Sequence, residues 1–209
     1  MSSMQVITNR DRIFKKLHFN DGTEAFKNAY SIFDELSSLL KNNMKLTSVH
    51  KVVDSRELNI EELYGFEKYV ICLVFSEDEI SEISNEMMSA GEYLKGYLLH
   101  EIATDVIFTA SDALNKEVGI EASQIGYGIC GTYAPGDGKI DLKMQGALLA
   151  ELEKEAKLNV YLNDEYILIP EKSLLYVLGL KLMQNTGSAA EEYSACGKCC
   201  NLYCEYRKK

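Results

Sequence analysis

The sequence predicts an α+β fold: a central, mainly antiparallel sheet packed by two or three helices. Three observations predict it. Residues 69–75, Tyr-Val-Ile-Cys-Leu-Val-Phe, are an unbroken apolar run of strand length, so both faces of that strand need a cover. Leu94, Leu98, Ile102, Val106, Ala110 and Leu114 recur every four residues, which makes a core-facing helical stripe about six turns long. Residues 158–162 and 173–182 read as alternating strands, and residues 166–169 run back between them as a hairpin partner, the pattern of antiparallel neighbours.

Taken in order, residues 1–12 are polar and read as a frayed end. Residues 23–40 read as an amphipathic helix with Phe26, Ala29, Tyr30, Phe33, Leu36, Leu39 and Leu40 on one face. Residues 46–53 read as a strand, and its His50 as structural. Cys72, mid-strand in the apolar run, reads as an inert core thiol. Ser76-Glu77-Asp78-Glu79 opens a helical tract, where acidic residues suit the first turn, and Gly91 breaks it. His100, Glu101 and Asp105 lie off the apolar stripe. Glu101 and Asp105 share a helix face at i,i+4 and are expected as solvated surface. Gly119 is expected to end the long helix. Asp141 reads as the N-cap of a helix carrying Leu142, Gln145, Leu148, Leu149, Leu152 and Ala156. Asn163-Asp164 turns the next hairpin, and Pro170 ends its second strand.

Composition narrows the function classes. The chain has 209 residues and a net charge of −10, with a pI near 4.9. Phosphate binding needs clustered Lys and Arg, so a broad nucleic-acid surface is not expected. No apolar run approaches the roughly 20 residues that span a bilayer. The first residues lack the pattern of a secretory signal, so a cytoplasmic protein is expected, with its six cysteines outside structural disulfides. Two units are expected, a globular domain over residues 1–183 and a Cys-rich tail over residues 184–209.

Two stretches carry chemistry. The first is Gly131-Thr132-Tyr133-Ala134-Pro135-Gly136-Asp137-Gly138, which holds one of the two prolines and three of the fourteen glycines. Gly admits close approach to the main chain and Pro135 stiffens the segment, so it reads as an ordered loop between two helical patterns. It serves either as a binding loop or as a tight turn without a ligand. The second is the tail, where Cys196, Cys199 and Cys204 have C-x-x-C-x-x-x-x-C spacing with Cys200 beside the second. Thiolates converging from such turns favour Zn²⁺ or an iron–sulfur cluster, and the metal would supply ordering energy to a segment with no core. Reversible thiol redox chemistry is the alternative. Cys130 is a candidate for a further ligand or a small packing residue.

Together, the Tyr133–Gly138 segment, Leu142, Gln145, Ile169-Pro170-Glu171-Lys172-Ser173 and the upstream Ala90-Gly91-Glu92-Tyr93-Leu94-Lys95-Gly96-Tyr97-Leu98-Leu99 form a recognisable series. It resembles the activation (reactivation) domain of vitamin B12-dependent methionine synthase over residues 25–182, above all short stand-alone relatives with a Cys-rich C-terminus. The resemblance implies a central antiparallel sheet. It implies S-adenosylmethionine at the loop, on Thr132, Tyr133, Ala134, Pro135, Gly136 and Asp137. It implies a cobalamin-bearing partner, a corrinoid methyltransferase protein, whose oxidised cofactor is restored by an electron and a methyl group. Two positions depart from the family: Thr132 stands where it has Arg, and Asp137 where it has Tyr. Thr lacks the two-pronged carboxylate clamp of a guanidinium. Neither a G-x-x-x-x-G-K-[ST] nor a G-x-G-x-x-G loop is present, so the electron is expected from a partner donor protein. Alternatives are a non-catalytic corrinoid-partner-binding module with a structural Zn tail, and an unrelated thiol redox protein.

Overall fold

The computed structural model describes residues 1–183 apart from 20, 59, 78, 79, 138 and 139. In chain order its elements are β1 (Ser2–Met4), α1 (Arg10–Lys16), α2 (Glu24–Asn43), β2 (Leu46–Asp54), β3 (Lys68–Ser76), α3 (Ile80–Ser89), α4 (Tyr93–Gln124), β4 (Tyr127–Tyr133), α5 (Met144–Glu153), β5 (Tyr161–Leu162), β6 (Leu168–Ile169) and β7 (Ser173–Leu182). The fold is α+β. Five strands form one sheet in the order β1-β2-β3-β7-β4, and every neighbouring pair is antiparallel.

β3 is the central strand, and its two apolar faces follow from what covers them. Val70, Cys72 and Val74 enter one core with Tyr176, Leu178 and Leu180 of β7 and the apolar faces of α1, α2, α3 and α4. Tyr69, Ile71, Leu73 and Phe75 enter a second core with Leu175 and Val177 of β7, α5 and the β5–β6 hairpin. The four-residue stripe of α4 is the largest helical contribution to the first core, with Leu98, Ile102, Val106 and Leu114 at most 1% exposed. α2 begins where a capping residue ends the preceding turn, with the Thr23 hydroxyl accepting from Phe26 N–H at 3.1 Å. Gly91, at φ +87°, separates α3 from α4, as the sequence predicts.

Several expectations are corrected. The N-terminal residues are ordered: β1 pairs with β2 through Ser2–Ser48, and α1 packs Ile13 and Phe14 into the first core. Five helices, not two or three, are present among the described residues. Gly119 does not end α4, which runs on to Gln124, because one Gly inside a long packed helix costs only about 1 kcal/mol. Asp141 is not an N-cap. It lies before α5, where its carboxylate accepts from Lys143 N–H at 2.9 Å in a short turn. Residues 158–162 pair only at Tyr161–Leu162, while Leu158 and Val160 are buried outside a strand. No helix among the described residues is long and apolar enough to cross a membrane.

Candidate functional site

The predicted loop is in part a strand. Gly131, Thr132 and Tyr133 are the last residues of β4 and pair with Gly179, Leu178 and Val177 of β7. Register shifts between Ile129 and Gly131, so Cys130 is the extra residue of a β-bulge. The bulge changes which face β4 presents. Tyr127 and Ile129 pack on the first core, whereas Tyr133 packs on the second. There Tyr133 meets Phe66 edge-on, with ring centroids 5.7 Å apart. The two rings cover Gly131 and Gly179, where an added Cβ would meet ring atoms at 2.7 Å and 2.6 Å.

Beyond Tyr133 the chain turns sharply. Asp137 N–H donates to the Ala134 carbonyl at 3.1 Å, and Gly136 N–H donates to the Ile140 carbonyl at 2.8 Å. Gly136 has φ +90°, which favours glycine, and it faces Leu142. Ala134 and Pro135 are half-buried, while Gly136 and Asp137 are exposed. The loop thus presents main chain and one carboxylate to solvent.

Adjacent antiparallel strands bring distant segments together. β4 ends at the same edge of the sheet where β7 begins, and Ala134 packs against the first core together with Leu174. Just before β7, the Lys172 carbonyl accepts from Ser76 N–H at 2.9 Å. The Lys172 side chain turns to α4, with Nζ 2.9 Å from Thr104 Oγ1, 3.2 Å from His100 Nδ1 and 3.4 Å from His100 Nε2. Lys172 is buried, and burial lowers its amine to about 8. Burial first, and the Lys172 charge second, hold the His100 imidazole below its ordinary pKa.

The pair expected as solvated surface is instead a buried ionic seam between α1 and α4. Asp105 is fully buried. Arg12 Nε lies 2.5 Å from Asp105 Oδ1, off the line of a hydrogen bond, and Arg12 Nη2 donates to Oδ2 at 2.6 Å and to Thr109 Oγ1. Burial raises the Asp105 carboxyl and outweighs the opposing pull of Arg12. Lys16 pairs with Glu101 at 2.7 Å. The i,i+4 periodicity identifies the shared face but not the helix that covers it, because residues 1–12 read as a frayed end and hide the start of α1. Its signal lay in Asn9, whose side chain accepts from Arg12 N–H, in Asp11 of the first turn, and in Lys15 and Lys16 of the last.

Cys72 is the inert core thiol expected, with burial pushing its pKa far up. Cys130 is half-buried at the bulge, its Sγ 3.7 Å from the Gly128 carbonyl. Cys196, Cys199, Cys200 and Cys204 lie outside the described residues. Among the described residues no three His, Cys, Asp or Glu side chains are grouped to hold a metal. Two shallow clefts lie away from the loop, one between α2 and the start of α4 and one beside β1. No protein-family model matches the chain, and no curated protein matches it.

Proposed function

We propose that this chain is a cytoplasmic accessory protein in cobalamin-dependent methyl transfer. It supports reductive activation and re-methylation of a corrinoid protein such as a B12-dependent methionine synthase. One observation carries the reading. The segments on which the resemblance rests are far apart in sequence yet meet at one end of the sheet. Tyr133–Asp137 leaves β4, Pro170–Ser173 enters the adjacent β7, and His100, the residue that follows the Ala90–Leu99 segment on α4, reaches Lys172. A rigid turn with exposed main chain at that place suits a ligand or a partner's cofactor edge.

S-adenosylmethionine fits the loop only in part. The exposed Asp137 carboxylate complements the ligand's amino group, and the turn at Gly136 admits close approach. Thr132 offers no clamp to the ligand's carboxylate. The tail cysteines, with soft thiolate ligands at metal-binding spacing, are the candidate electron relay.

The test uses the full chain, purified without oxygen, with a corrinoid methyltransferase protein in its cob(II)alamin state, S-adenosylmethionine and a one-electron donor. Loss of the cob(II)alamin absorption and gain of methylcobalamin are followed together. The chain is expected to speed the conversion at least tenfold. The double variant Cys196→Ser/Cys199→Ser should lose that acceleration with an unchanged circular dichroism spectrum. No acceleration by the unaltered chain overturns the reading, and full acceleration by the double variant removes the tail from the electron path.

A further inference from the structure

We infer that Lys172, His100 and Thr104 form a binding site for a small oxyanion, the carboxylate or phosphate group of a ligand. The inference stands independently of the corrinoid reading. Lys172 is 6% exposed. A lysine ammonium at that depth is ordinarily paired with a carboxylate, because an unpaired charge out of water is costly. Among the described residues no carboxylate ion-pairs with it.

What Lys172 does touch leaves its charge unmatched. An ammonium has three N–H donors. The Thr104 hydroxyl donates to the His100 carbonyl at 2.8 Å, which leaves its oxygen lone pairs to accept from Nζ at 2.9 Å. The His100 ring nitrogens stand at nearly equal distances of 3.2 Å and 3.4 Å from Nζ. A neutral imidazole has an in-plane lone pair on one nitrogen and an N–H on the other, and a donor placed evenly between the two nitrogens is in line with neither. Among the described residues Thr104 is therefore the single well-placed acceptor.

The surrounding charges do not compensate. Lys16 on α1 and Glu101 on α4 face the cluster and neutralise each other at 2.7 Å. Glu171, the neighbour of Lys172 in the chain, favours the charged amine, but it does so from beyond ion-pair distance, and burial outweighs it. His100 contributes no charge, since burial and Lys172 keep it neutral. The site thus holds one excess positive charge, a hydroxyl and an imidazole. His100 and Thr104 are partly exposed, so the cluster opens to solvent along α4. An oxyanion there would accept from the remaining Lys172 donors, as charge-assisted hydrogen bonds. Its charge would draw the Lys172 and His100 pKa values back up, so binding takes up protons near pH 8.

The experiment titrates the full chain at pH 7 with sodium phosphate, and separately with sodium acetate, against sodium chloride at matched ionic strength. Thermal unfolding and the ring resonances of His100 are read. At least one oxyanion should raise the midpoint at millimolar concentration and move the His100 resonances, with a weaker response at pH 9.5. Lys172→Met should weaken the response at least tenfold, and Lys172→Arg should retain it. Acetate acting alone marks a carboxylate ligand, and phosphate acting alone marks a phosphate ligand. No response beyond chloride, or an equal response in Lys172→Met, overturns the site.

Discussion

At the scale of single residues, Lys172 and Asp105 are charged side chains in places that resist charge. Lys172 is the first. Its folded amine titrates near 8, well below the ordinary lysine value of 10.5. Between those two values the unfolded chain binds a proton that the folded chain does not. Stability attributable to Lys172 therefore rises with pH across that window. Holding the amine charged at pH 7 costs on the order of 3 kcal/mol, partly offset by the Thr104 hydrogen bond. Lys172→Met is thus expected to stabilise the protein by about 1–2 kcal/mol at pH 7, the advantage fading toward pH 10.5. Urea denaturation of both proteins at steps from pH 7 to 10 reads it, and a pH-independent difference contradicts the assignment. Asp105 is the second, and here the charge is matched. Arg12→Met would strand a fully buried carboxylate, at a cost of about 2–4 kcal/mol after allowing for the part-exposed guanidinium. The Asp105 carboxyl is already raised by burial, and losing Arg12 raises it further. The loss should shrink as the pH falls through that raised value, and the double variant Arg12→Met/Asp105→Leu should recover most of it. A loss that does not change between pH 7 and 4 would show that Asp105 is not its source.

At the scale of elements, close approach decides more than propensity does. α3 and α4 meet at Gly96, where an added Cβ would lie 2.6 Å from the Ser84 carbonyl oxygen and 2.5 Å from Met88 Cγ. The Met side chain can swing away, but the carbonyl belongs to α3 itself, and Ser84 Oγ donates back to the Gly96 carbonyl at 2.7 Å. Gly96→Ala therefore has to push α3 outward. Its helix-propensity gain of about 1 kcal/mol should be overrun, for a net loss of about 1–3 kcal/mol in denaturant unfolding. A stabilised Gly96→Ala protein would mean that the two helices are not in contact there. The same logic explains which elements were legible in the sequence. β3, β7 and α4 were readable because each is long: β3 is an unbroken apolar run, and α4 repeats every four residues. β4 was not, since its bulge at Cys130 breaks the alternation and its glycines look like loop signals. Gly131 and Gly179 are glycines for the opposite reason, leaving room for the Tyr133 and Phe66 rings on a paired strand. α1 is seven residues long, too short for periodicity to register, and only its caps announced it.

At the scale of the whole molecule, the sheet places the loop, and the loop alone does not explain the chain. The turn after Tyr133 is legible in the sequence because glycine and proline punctuate it. The Lys172 cluster was not found, because its members lie 68 and 72 positions apart and no local pattern links them. Burial made them a site, and burial is a property of the fold. The four tail cysteines pose a separate question, which the metal itself answers. Iron–sulfur clusters and Zn²⁺ accept the same thiolates, but only the cluster passes an electron. If the chain relays the reducing electron, protein purified without oxygen should be brown, with iron and sulfide in comparable amounts. The double variant Cys196→Ser/Cys199→Ser should be colourless, yet unfold at the same urea concentration, since the cores described above lie within residues 1–183. Zinc without iron would leave a structural tail and make the loop a recognition surface rather than part of a redox path. Neither metal, with a disulfide forming reversibly between Cys196 and Cys199, would move the chemistry to thiol exchange, which needs no corrinoid partner.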